Sequence, residues 1–252
     1  MPGRGCAHDE DPGHGPVHED ALRKLEELGE VVLEDADEEG LRRHVRDADA
    51  WVVRSGTQVT RELIEEAENL KVIARAGVGV DNIDVEAATE RGIVVVNAPE
   101  SSSISVAEHT MSLMLVLARR IPQADRSVRR GEWDRKLFMG VELAGKVLGV
   151  IELGRIGRQV AKRTKAFEME VIAFDPYISE EVAEGLDVEL VEDLDELLRR
   201  ADVVTIYVPL TDETQGMIGE RELKLMKESA FLINCARGEV VDEEALVRAC
   251  SC

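Results

Sequence analysis

The chain has 252 residues with 31 basic and 52 acidic side chains, a formal net charge of −21. A surface of that sign repels nucleic acid and anionic lipid, so neither is expected as a partner, and the longest strongly apolar run, residues 111–118, is too short to span a bilayer. Four cysteines (Cys6, Cys235, Cys250, Cys252) make no disulfide framework in this length, which with a polar start lacking an apolar signal core predicts a cytoplasmic protein.

Residues 1–18 have no periodicity and are rich in Gly, Pro, His and acid. They are expected to form a disordered tail. Cys6, His8, His14 and His18 match no zinc spacing, so no metal is expected. From residue 19 helix and strand alternate. Helices are predicted at 19–28, 37–45, 60–68 and 84–91, with Thr60 as an N-cap and Gly92 as a stop. Strands are predicted at 30–33, 50–53, 72–74 and 93–96. Pro99 and the serine run then break the rhythm, and a long apolar helix follows over 103–120. The domain boundary is placed near 99, giving domains 19–99 and 100–252. The second domain resumes at Gly145, with strands at 147–151, 170–174, 188–190, 203–207 and 230–233. Its helices are expected at 155–166, 179–185, 194–200, 220–226 and 243–249. This order predicts an α/β fold of two doubly wound parallel sheets.

The stretch "VLGVIELGRIGRQVA" runs from an apolar strand through a glycine turn into a helix. Gly154 and Gly157 fit the last two glycines of a G-x-G-x-x-G dinucleotide turn, and Glu152 stands in place of the first. Asp175 follows Gly154 by 21 residues, where a carboxylate takes the adenosine ribose hydroxyls and so favours NAD over NADP. The helix start, with Arg155 and Ile156, attracts the pyrophosphate. Glu152 is expected to strain the backbone by roughly 1–3 kcal/mol and to weaken binding while the fold survives. The alternative is that its side chain points to solvent and the loop adjusts.

Further motifs make the sequence similar to a known family. "VVRSGTQVT" (52–60), "ARAGVGVDNIDVEAA" (74–88), "WDRKLFMG" (133–140), "LGRIGRQVA" (153–161) and "NCARGEVVDEEAL" (234–246) resemble the D-2-hydroxyacid dehydrogenases. Within that family the likeness is greatest to the branch that oxidises 3-phosphoglycerate at the start of serine synthesis. The resemblance implies a flavodoxin-like substrate (lid) domain, a Rossmann NAD-binding domain and a cytoplasmic homodimer or larger assembly joined through residues 100–140. It makes NAD the cofactor and a small 2-hydroxy acid, 3-phosphoglycerate, the substrate. Arg237 matches the catalytic arginine that binds the substrate carboxylate. Ala76, Gly77, Val78 and Gly79 match the loop that offers N–H groups to it. Arg54, Arg75 and Arg135, with Lys136, are the phosphate candidates. Val208, Cys235, Ala236, Arg237 and Val78 complete the implied cofactor contacts.

The family's glutamate and histidine lie beyond the arginine, and the sequence stops 15 residues after Arg237. His109 is expected to be a packed helix residue, and no base is assignable. The expectation is therefore an incomplete NAD-binding domain with impaired catalysis. The other readings are a non-catalytic nucleotide-binding or partner subunit, and a dehydrogenase of another 2-hydroxy acid such as glyoxylate or lactate.

Overall fold

A computed structural model describes residues 3–8, 18–34 and 38–250 and divides the chain into two units, Met1–Ser102 and Ser103–Cys252. The described strands of each unit make one parallel sheet, which is the expected α/β architecture.

The first unit runs β1 (Gly3–His8), α1 (Glu19–Glu26), β2 (Gly29–Glu34), α2 (Glu38–Asp47), β3 (Ala50–Val53), α3 (Arg61–Glu66), β4 (Val72–Arg75), α4 (Val85–Glu90) and β5 (Val94–Asn97). Its strand order is β2-β1-β3-β4-β5. Strand β1 corrects the sequence reading, which took residues 1–18 as a disordered tail. Residues 3–8 pair along β2 from Gly3↔Gly29 to His8↔Glu34, and on the other side with β3. Ladder bonds come from the main chain, so a segment without an apolar pattern can still be a central strand. The rest of the supposed tail, 9–17, lies outside the described residues. Helix α4 forms where expected: the Ala87 N–H donates to Asp84 Oδ1 at 2.8 Å, and Gly92 follows at φ 70°. Trp51, Ile64 and Ile73 are fully buried at the centre of this unit's core.

The second unit runs α5 (Ser103–Arg119), α6 (Ile121–Arg129), β6 (Val147–Ile151), α7 (Arg155–Lys165), β7 (Glu170–Phe174), α8 (Glu180–Gly185), β8 (Glu189–Leu190), α9 (Leu194–Arg200), β9 (Val203–Ile206), α10 (Glu220–Leu225), β10 (Phe231–Asn234) and α11 (Glu243–Cys250). Short 3-10 turns lie at Arg135–Phe138 and Gly238–Val240. The strand order is β10-β9-β6-β7-β8. Every residue of β9 and all of β6 after Val147 are buried, as parallel strands covered on both faces must be. Helix α6 was not anticipated. Arg120 takes a left-handed φ of 52° and Pro122 sits in the first turn of the new helix, so the chain kinks and restarts where the sequence reading saw only an end.

Candidate functional site

Strand β6 ends buried at Ile151, and the chain must then turn sharply into α7. Glu152 makes that turn at φ 74°, a region open to glycine and rarely entered by other residues. Its N–H donates to the Phe174 carbonyl at 3.0 Å. The next N–H, of Leu153, donates to Asp175 Oδ2 at 3.0 Å, and Tyr177 N–H donates to Asp175 Oδ1 at 2.9 Å. Buried Asp175 therefore pins the turn from the end of β7 and keeps further lone pairs for a ligand. A side chain at Gly157 would collide with the Glu152 carbonyl and lie 3.1 Å from Val150 Cγ1, so glycine is what lets α7 pack onto β6.

Gly154 is different. The volume its missing side chain leaves open is taken by Glu152 Oε1, 2.5 Å from where a Cβ would stand. Glu152 is half-buried, and among the described residues its Oε2 has no hydrogen-bond partner. Burial, with the Asp175 charge as the lesser cause, pushes its carboxyl up to about 7. The solvent-pointing alternative is not what forms.

The other expected residues of this unit lie along the same edge. Val208 follows β9, and Cys235, Ala236 and Arg237 follow β10. Asn234 fixes that last loop: its Oδ1 accepts from Ala236 N–H at 2.9 Å and its Nδ2 donates to the Arg237 carbonyl at 2.6 Å. Arg237 is half-buried, with Nη1 donating to the Ala236 carbonyl at 3.0 Å. Behind the edge Tyr207 donates its hydroxyl to Thr110 Oγ1 at 3.3 Å, and burial pushes it up to about 12, so it stays neutral. The chain lays down β6, β7 and β8 in one direction and returns to β9 on the other side of β6. Ligands of open α/β sheets bind outside the carboxyl ends of strands at such a reversal.

In the first unit, the carboxyl ends of β3 and β4 hold Arg54, Arg75 and the loop of Ala76, Gly77, Val78 and Gly79. Asn82 Nδ2 donates to the carbonyls of Arg54 and Thr57, at 2.9 and 2.6 Å. Asn97 Nδ2 donates to the Val78 carbonyl at 2.7 Å. Arg75 folds back over Gly77, its Nη1 donating to the Ala76 carbonyl at 2.9 Å. The asparagine clamps escaped sequence reasoning, since an amide side chain does not announce which carbonyl it holds.

Arg135 is not among the strand-end residues. It is exposed in the 3-10 turn Arg135–Phe138 and lines a cavity of about 300 Å³ with Ser127, Glu132 and Trp133. His109 is exposed on α5 rather than packed, because the buried face of that helix is set by its neighbours Ala107, Thr110 and Met111. Among the described residues no group of three His, Cys, Asp or Glu is placed to hold a metal.

A dinucleotide fits the second unit's edge in its glycine turn, its helix start and the carboxylate ending β7. One feature opposes it: the Glu152 carboxyl beside Gly154.

Comparisons with known proteins bear on the same edge. Residues 111–251 match the NAD binding domain of the D-isomer specific 2-hydroxyacid dehydrogenases. The chain is 63% identical over 235 residues to a D-3-phosphoglycerate dehydrogenase of Methanocaldococcus jannaschii, covering 93% of this chain and 45% of that protein. It is 54% identical over 236 residues to that of Archaeoglobus fulgidus, covering 93% and 45%. It thus spans less than half the length of these relatives. Among solved structures, the D-lactate dehydrogenase of Aquifex aeolicus complexed with NAD and lactic acid superposes with a TM-score of 0.86 at 33% identity, covering 98% of this chain and 73% of that one.

Proposed function

The chain belongs to the D-isomer specific 2-hydroxyacid dehydrogenase family, and we propose that it acts in the NAD-dependent oxidation of 3-phospho-D-glycerate to 3-phosphohydroxypyruvate, the first step of serine synthesis. The observation that carries this is the row of strand ends β7-β6-β9-β10, which sets Asp175, the glycine turn and the Arg237 loop side by side at the sheet's reversal. Bound NAD would supply the acceptor for hydride from C2 of the substrate. Gly154, Arg155, Ile156 and Gly157 hold the pyrophosphate at the start of α7. Asp175 takes the ribose hydroxyls and repels a 2′-phosphate. Val208, Cys235 and Ala236 would line the cofactor's other end; Val78 is a contact that the family resemblance alone assigns. Arg237 would bind the substrate carboxylate with its planar fork, and the family resemblance assigns the N–H groups of the 76–79 loop to the same group. Arg54, Arg75 and Arg135 are the phosphate candidates of the family resemblance. The resemblance assigns neither the general base nor its glutamate to a described residue. Exposed Ile104, Leu117, Ile121, Leu137 and Met139 support a homodimer through residues 100–140. The free thiols Cys235 and Cys250 suit a cytoplasmic setting.

Equilibrium binding tests this reading. NAD is expected to bind more tightly than NADP, and with NADH present 3-phosphoglycerate more tightly than lactate or glyoxylate. Arg237→Lys keeps the charge but loses the fork, and is expected to weaken 3-phosphoglycerate about tenfold or more. Equal binding of lactate, with Arg135→Glu silent, would move the assignment to another 2-hydroxy acid. Glu152 favours a second reading, a nucleotide-binding or partner subunit without turnover.

A further inference from the structure

Three features of Glu152 point one way. Its backbone is left-handed at φ 74°, its Oε1 lies 2.5 Å from the position a Gly154 Cβ would occupy, and its buried Oε2 has no hydrogen-bond partner among the described residues. In the glycine fingerprint the room at the second glycine lets the backbone meet the pyrophosphate. Here a carboxyl group already stands in it. We infer that Glu152 tunes dinucleotide affinity by proton linkage: the pyrophosphate settles against Gly154 only when the Glu152 carboxyl carries a proton, so binding takes up a proton from solvent wherever the free chain holds that carboxyl ionised. The inference rests on the reading of this edge as a dinucleotide site.

The charged groups on the surrounding elements agree with it. From β7 Asp175 adds a second negative charge, and both its oxygens already accept N–H bonds from the turn. On α7 Arg158 Nε is spent on the Leu153 carbonyl at 2.9 Å, and Arg155 is exposed. Strand β9 brings only apolar residues and Thr205, followed by neutral Tyr207. An ionised Glu152 beside two phosphate charges thus has like charge on one side and, among the described residues, no cation bonded to it. Its carboxyl is already held up to about 7, so the proton is within reach near neutrality.

Calorimetric titration of the full chain with NAD at pH 6 and pH 8, in buffers of different ionisation enthalpy, reads this directly. Binding is expected to be about tenfold weaker at pH 8, with close to one proton taken up per NAD there. Glu152→Gln is expected to bind equally at both pH values with no uptake, and Glu152→Gly to bind more tightly than the native chain, also without uptake. Adenosine, which has no phosphate, should bind independently of pH. A native chain whose NAD affinity ignores pH, a Glu152→Gln variant that keeps the pH dependence, or adenosine that shows it would each overturn the inference. If Glu152→Gly binds no NAD at either pH, the dinucleotide reading itself fails and the inference falls with it.

Discussion

At φ 74° the Glu152 Cβ crowds its own backbone, a cost of about 1–2 kcal/mol that glycine does not bear. The carboxyl adds a separate, pH-dependent cost. A carboxylic acid held at about 7 in the folded chain releases its proton near the ordinary carboxylate value on unfolding. Between those values the unfolded state binds fewer protons, so stability falls as pH rises toward and through 7. Glu152→Gly is therefore expected to stabilise the second unit modestly at pH 5 and by more at pH 8, read from urea midpoints; equal gains at both would show that the carboxyl is not held in its neutral form. Gly157 gives the opposite sign. Its alanine variant drives a methyl into the Glu152 carbonyl, and α7 must lift from β6 at a cost of about 1–3 kcal/mol; an unchanged urea midpoint would contradict that packing.

At the scale of elements, α5 buries Ser103, Ala107, Thr110, Met111, Met114 and Ala118, spaced three and four apart along one face. Met114 is fully buried in the core of the second unit, so Met114→Ala is expected to cost about 2–5 kcal/mol, measurable as a lower denaturant midpoint with an unchanged slope. This helix was legible as a long apolar stretch after the break at Pro99 and the serines, and its seventeen residues are too many for a strand. Strands β6 and β7 were legible as short apolar runs, and they coincide with 147–151 and 170–174. Strand β1 was not, since its place depends on main-chain ladders to β2 and β3 that no side-chain pattern reports. Helix α6 hid behind Pro122, which reads as a terminator until Arg120 is seen to turn left-handed. In the site the fingerprint pointed to Glu152, Gly154 and Asp175. It could not tell that Glu152 would lie across Gly154, because a side chain's rotamer depends on the packing around it.

At the scale of the molecule, the charge of −21 opposes compaction at low salt, and two salt-sensitive effects compete. Surface ion pairs such as Arg200 with Glu189 at 2.6 Å and Arg221 with Asp195 at 2.5 Å each contribute only about 0–1 kcal/mol, with much of that lost to side-chain ordering. The excess of carboxylates repels over longer distances. The Debye length is ~30 Å at 0.01 M salt and ~3 Å at 1 M, so added salt removes the long-range repulsion before it weakens pairs in contact. Repulsion is therefore relieved first, and the chain is expected to gain stability as KCl rises toward 1 M. A gain of 1–2 kcal/mol corresponds to roughly 2–8 °C in the unfolding midpoint for domains of this size. Potassium chloride is the suitable salt because sulfate would strengthen apolar burial on its own account. Thermal unfolding across a KCl series checks the balance: a rising midpoint means that net repulsion dominates, and a falling one means that the arginine–carboxylate pairs hold more of the fold than their exposure allows.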